Sequence, residues 1–230
     1  MFEVRIFNPF KGGMDTIATL DVSSQTEAAE MAERFFSSNG IKLGEIVAAG
    51  TEERHSVIGL PDQESVATGN GGFWFVANHV YFVFKAIKEE MGIKVDSFID
   101  LGCGTGNILI GARNLLGATR LSGVEIDIAL VEQAKRNTES LGPEIITEII
   151  QADLLAWKPA VNDFDMVYIY DPIRDLALRE KFLNSLTGWL RDGQYVFYNR
   201  IVGEMPAWLE KIEIPNYDVP CLYTFAKNKV

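Results

Sequence analysis

The segment Phe98-Ile-Asp-Leu-Gly-Cys-Gly-Thr-Gly106 constrains this chain's fold more than any other. A short apolar run ends at Asp100 and Leu101, and glycine then stands at 102, 104 and 106. Ile108, Leu109, Ala112, Leu115 and Leu116 follow at helical spacing. The stretch therefore reads as a strand, a tight turn and a helix. Glycine in such a turn opens left-handed backbone conformations and lets a ligand approach closely. A strand feeding a helix in this way is the first half of a right-handed crossover, so the next strand must lie parallel to it.

The pattern downstream agrees. Residues 121–126, 145–150, 165–170 and 194–198 read as strands, and 130–141 and 176–190 as helices. Residues 211–214 and 222–227 read as two more strands. Pro215-Asn-Tyr-Asp-Val-Pro-Cys221 between them is too short for a crossover helix, which predicts an antiparallel hairpin at the sheet edge. The expected fold class is α/β: a Rossmann-like doubly wound sheet, mostly parallel with an antiparallel C-terminal hairpin, plus a small N-terminal α+β module.

That module occupies residues 1–50. Residues 2–7 and 16–22 read as strands, and Ser24-Gln-Thr-Glu27 is a capping box. Ala28, Met31, Ala32 and Phe35 mark the helix, Asn39-Gly40 stops it, and 41–49 reads as a third strand, giving a ββαβ order. Residues 51–94 are expected to be a polar, turn-rich linker followed by an aromatic-rich helix that begins at Phe73 and ends at Gly92. Residues 95–230 form the third unit.

Composition narrows the functional classes. With 230 residues, 47% of them apolar, the chain can bury a core without disulfides or metals. Cys103 and Cys221 are its only cysteines and lack metal-ligand spacing, so no metal is expected. No apolar run reaches the ~18 residues of a membrane span, and the N-terminus lacks a secretory apolar core. A cytoplasmic location is the expectation. The net charge of −11 argues against a broad surface for a phosphate backbone. Arg174, Arg179, Lys181, Arg191 and Arg200 read as solvated helix faces and loop ends.

The turn also constrains its ligand. Its spacing is G-x-G-x-G, not the G-x-G-x-x-G of dinucleotide sites, and Asp100 would repel a pyrophosphate. A carboxylate there suits a cationic ligand. Glu125 lies 19 residues past Gly106, at the end of the next strand, where an acid accepts hydrogen bonds from ribose hydroxyls. Asp127 is the alternative.

With these residues in place, the chain resembles the class I, seven-stranded, Rossmann-like S-adenosylmethionine-dependent methyltransferases over about residues 95–227. The resemblance implies S-adenosyl-L-methionine as cofactor. It implies that Asp100 helps position the methionine moiety, that Gly102, Gly104 and Gly106 pass close to the cofactor, and that Glu125 holds the ribose. Cys103, Thr105 and Asn107 belong to the same cofactor-binding stretch, with Cys103 reading as a small buried residue and not a nucleophile. Asp153, in Gln151-Ala-Asp-Leu154, would meet the adenine amino group, with the backbone at Leu154 beside it. The plain alternative for Asp153 is a helix N-cap.

The fourth strand of the unit ends at Tyr170-Asp171-Pro172-Ile173-Arg174. Members that methylate amino groups of bases or glutamine carry Asp/Asn-Pro-Pro-aromatic at this corner. Here the second proline and the aromatic are missing. Asp171 is the candidate for orienting or deprotonating the acceptor, and Tyr170 for an aromatic face. Otherwise Asp171 only closes a turn, with Pro172 as the first residue of the next helix. Phe73, Trp74, Tyr81 and Phe82 would line the cofactor pocket or acceptor channel, or simply pack the core, and His79 reads as a packing residue. The resemblance implies methyl transfer to a protein side chain or small molecule. Methylation of a nucleic-acid base through Asp171-Pro172, and a non-catalytic cofactor-binding partner subunit, are the alternatives.

Overall fold

The computed structural model describes residues 1–8, 13–39, 43–51, 53–58, 73–170, 172–173, 175–199 and 205–230. The N-terminal unit contains β1 (Phe2–Asn8), β2 (Gly13–Leu20), α1 (Gln25–Ser38), β3 (Leu43–Ala48) and β4 (Arg54–Ile58). Its sheet has the order β2-β1-β3-β4, with every neighbouring pair antiparallel. Alternation along β1 turns Val4, Ile6 and Asn8 inward, on the face that buries Ala28, Ala32 and Phe36 of α1. The capping box forms as expected: Ser24 Oγ accepts from Glu27 N at 3.2 Å.

The unit runs past residue 50. β4 pairs with β3 from Leu43↔Ile58 to Val47↔Arg54, so the order is ββαββ, and part of the expected linker is a strand. Its polar start, Arg54-His-Ser, suits an edge strand, which carries little of the apolar alternation that marks a half-buried one.

The larger unit opens with α2 (Phe73–Glu89) and β5 (Ser97–Leu101). Then come α3 (Asn107–Gly111), a π turn at Ala112–Leu116, β6 (Arg120–Glu125), α4 (Ile128–Thr138) and β7 (Ile146–Gln151). They are followed by β8 (Met166–Tyr170), α5 (Leu176–Leu186), β9 (Tyr195–Asn199), β10 (Leu209–Ile214) and β11 (Tyr217–Phe225). The sheet is seven-stranded, in the order β10-β11-β9-β8-β5-β6-β7. β7, β6, β5, β8 and β9 are mutually parallel, and β11 and β10 are antiparallel. β5 is buried at all of its positions, as an interior strand of a doubly covered sheet must be.

Each face of this sheet carries its own core. On one face Phe84 of α2 meets Phe98, Tyr168 and Phe197 edge-on, with ring centroids 5.8, 6.3 and 5.6 Å away. The same apolar cluster continues through Val4, Ile6, Phe36 and Ile46, so the small unit packs onto the larger one through α2. On the other face Phe182, Leu183 and Leu186 of α5 cover Ile99, Val167 and Val196. No helix among the described residues is long and apolar enough to cross a membrane.

Chain order starts at β5, runs outward to β6 and β7, then returns to β8 and β9. The switch point therefore lies between β5 and β8. In such sheets a crevice opens there, beyond the carboxyl ends of the strands.

Candidate functional site

The glycine turn lies at that switch point, directly after β5. Gly102, Gly104 and Gly106 all take positive φ, at 93°, 53° and 80°. Gly102 N and Cys103 N donate to Val124 O at 2.8 and 3.0 Å, which ties the turn to the end of β6. A Cβ on Gly102 would stand 2.8 Å from Pro172, and one on Gly106 3.2 Å from Ala134. The three positions differ in purpose. Gly102 makes room for the β8 exit and Gly106 for α4, while among the described residues nothing lies within 4 Å of a Cβ on Gly104, so its backbone faces open space there.

Asp100, the fourth residue of β5, is 2% exposed. Burial pushes its carboxyl well above the ordinary carboxylate value, and the Glu125 charge pushes it further. Glu125 is 9% exposed and ends β6. Its Oε2 accepts from Gly104 N at 3.0 Å, and its Oε1 from Ile126 N at 2.8 Å and Asp127 N at 3.0 Å. Two acids thus flank the turn, and the Glu125 carboxylate fixes the middle glycine. Asp127 does something else, since its Oδ1 accepts from Ala129 N at 2.8 Å and caps α4.

The remaining members of the stretch divide by side chain. Cys103 is buried, its thiol packed where a side chain on Gly123 would otherwise sit. Burial raises its pKa well above the usual thiol value, so it stays protonated. Thr105 offers its carbonyl to Asn137 Nδ2 at 2.8 Å. Asn107, first residue of α3, is 7% exposed.

After β7, Asp153 is exposed and its Oδ1 accepts from Leu155 N at 2.9 Å. It shapes a turn and caps no helix, since α-helix does not follow it. Leu154 sends its side chain into the core beside Val124. Ala152 N donates to Glu125 O at 2.9 Å, so this loop and the Glu125 loop run side by side.

At the β8 exit, Tyr170 is half-buried and packs against the α2-side core. Asp171 and Arg174 lie outside the described residues, as does Arg200. Pro172 is not the first residue of α5. That helix starts at Leu176 and is capped by Asp175, whose Oδ1 accepts from Leu178 N at 2.9 Å. The close contact of Pro172 with Gly102 places this corner directly against the glycine turn.

One other expectation changes, and for two aromatics the packing alternative holds. Arg179 is 9% exposed, so it is no solvated face residue. Tyr81 and Phe82 are buried at 5% and 8%, in T-shaped contact with centroids 5.4 Å apart, and belong to the shared core. The side chains of Phe73, Trp74 and His79 lie outside the described residues.

The structure adds three features that sequence reasoning misses. Asn137 on α4, backed by Gln133 Nε2 at 2.8 Å, braces the turn from behind. Helical spacing, 133 to 137, is its only sequence signal. Ile126 is 63% exposed at the rim of the crevice. Its apolar character predicts a strand that runs through it, but β6 stops one residue earlier. The Pro172–Gly102 contact joins segments far apart in the chain, and no local pattern reports it.

Comparison with known proteins finds methyltransferases similar to part of this chain. Residues 98–193 match a family described as a methyltransferase domain. An uncharacterized protein of Methanocaldococcus jannaschii is 47% identical over 94 residues, 41% of this chain and 32% of that protein. A ribosomal protein L11 methyltransferase of Thermotoga neapolitana is 35% identical over 102 residues, 44% of this chain and 35% of that protein. The match thus spans about a third of the length of these relatives. Among solved structures, an RNA methyltransferase from Salinibacter ruber in complex with S-adenosyl-L-homocysteine overlaps 63% of this chain and 91% of its own, at 25% identity and a TM-score of 0.48. The matched stretch, residues 98–193, is less than half of the chain; it holds the glycine turn and both flanking acids and is similar to a methyltransferase domain.

Proposed function

We propose that the protein binds S-adenosylmethionine at the glycine turn and transfers its methyl group to a protein side chain or a small-molecule acceptor. One observation carries this reading: a buried acid, Asp100, and a turn-locking acid, Glu125, flank a backbone that faces open space at Gly104. The two carboxylates suit a ligand bearing positive charge and hydroxyl donors, and repel a phosphate. The exposed Ile126 adds an apolar surface for a flat ring beside the Asp153 loop.

When bound, the cofactor supplies an activated methyl electrophile. Asp100 would hold its cationic head and Glu125 its ribose, with Asp153 and the Leu154 backbone at the adenine. Cys103 and Thr105 contribute as parts of the turn. What remains for the chain is placement. Holding the acceptor and the methyl carbon in line at contact distance in a dry crevice supplies much of the acceleration. The Pro172 corner abuts the turn, so Tyr170 and Asp171 are our candidates for orienting the acceptor, with Asp171 as base where the acceptor must lose a proton.

The acidic surface favours protein or small-molecule acceptors over nucleic acid. A screen with labelled S-adenosylmethionine tests this. Label in protein or small-molecule fractions supports the reading. Label in RNA or DNA that falls steeply with salt contradicts the acceptor class, and cofactor binding without turnover on any pool contradicts catalysis.

A further inference from the structure

Asn107 is more than nine-tenths buried, and neither its Oδ1 nor its Nδ2 has a hydrogen-bond partner among the described residues. Burying an amide without partners costs free energy, so such a group in a folded chain calls for a function. It opens α3 directly after Gly106. Side chains on a helix lean toward its N-terminus, so the amide leans back over the glycine turn. Asp100 lies at the other end of that turn.

We propose that Asn107 reads the amino-acid head of the cofactor, Nδ2 donating to its carboxylate and Oδ1 accepting from its ammonium, with Asp100 serving the ammonium from the other side. This rests on the cofactor reading above and specifies one of its contacts. The other amide at the turn is committed, and the other acid is held by backbone and assigned above to the ribose. Asn137 is bonded to Thr105 and Gln133, and both Glu125 oxygens accept from backbone. A zwitterionic head places a carboxylate on the carbon that bears the ammonium. A site that neutralises the cation with a buried acid therefore needs a neutral donor close by, and a second acid would repel the carboxylate. An amide meets both demands.

The test titrates S-adenosylhomocysteine and 5′-methylthioadenosine, which lacks the amino-acid head, into wild type and Asn107→Leu. The account expects S-adenosylhomocysteine affinity to fall about 10-fold or more, as for loss of a hydrogen bond to a charged group. Affinity for 5′-methylthioadenosine should stay within about 2-fold. The ligand-free variant should melt at or above wild type, because an unpaired buried amide has been replaced by an apolar side chain of similar size. A purely structural asparagine would lower the melting point and weaken both ligands alike, which would overturn the proposal. Unchanged S-adenosylhomocysteine affinity with lost turnover would assign Asn107 to the acceptor and overturn it equally. If the leucine variant does not fold, Asn107→Ala gives the same comparison. Failure of wild type to bind either ligand would instead strike the cofactor reading itself.

Discussion

Asp100 carries the sharpest conflict between stability and function at the level of single residues. Its carboxyl is raised by burial and by Glu125, so the folded state holds its proton more tightly than the unfolded chain does. The stability this contributes is present below the ordinary value of 3.8 and is lost as pH rises toward the folded value. Asp100→Asn removes that loss. Thermal melts across pH should show the variant gaining on wild type from acid toward neutral pH, and no such divergence would contradict the burial account. Cofactor affinity should move the other way. A cation favours the ionised carboxylate, so S-adenosylmethionine should bind wild type more tightly as pH rises over the same window, with a proton released. Gly102 is constrained differently. Gly102→Ala combines a left-handed φ with a clash against Pro172 and should cost about 1–3 kcal/mol, read by urea denaturation.

Among elements, α2 does more than its place in the sequence suggests. Phe84 touches rings from β5, β8 and β9, so Phe84→Ala should cost about 3–5 kcal/mol in denaturant melts. Ser24→Ala, which removes only the cap of α1, should cost about 1 kcal/mol. Legibility also sorts by element. The buried parallel strands are readable because both faces are covered and their apolar runs are dense, and the apolar run expected to end at Leu101 is β5, which ends there. β4 escapes such a reading because its pairing with β3, not its own pattern, makes it a strand. The tail hairpin forms as expected, but β11 begins at Tyr217, inside the stretch that reads as loop. Pro220 argues for a loop, yet the β9 ladder uses only Leu222–Thr224, so the missing N–H falls outside it. The turn is Pro215-Asn216, with Asn216 at φ 64°, as the second corner of a type II turn requires. The π turn after α3 leaves no mark in the helical spacing of Ala112, Leu115 and Leu116. At the candidate site, the gathering of Asp100, the glycines and Glu125 around one turn is legible because it follows from a strand, a turn and the end of the next strand. Asn137 and the Pro172 contact are not, because tertiary packing creates them.

For the whole molecule, one apolar core joins the four-stranded unit to the parallel sheet through α2. A fragment beginning at Phe73 would expose the α2 surface that now meets Val4, Ile6 and Phe36. It should be insoluble or lack a cooperative melt, while the full chain melts as one unit. A soluble, cooperatively folded fragment would show the two units to be separable. The central claim concerns the other end of the sheet. Calorimetric titration of S-adenosylhomocysteine into the full chain, with Glu125→Ala alongside, tests it most directly. The account predicts binding by wild type that weakens by about 1–3 kcal/mol in the variant, as expected for lost hydrogen bonds to a charged group. A folded wild-type protein that takes up no S-adenosylhomocysteine, or a variant that binds it equally well, would contradict the assignment of this crevice.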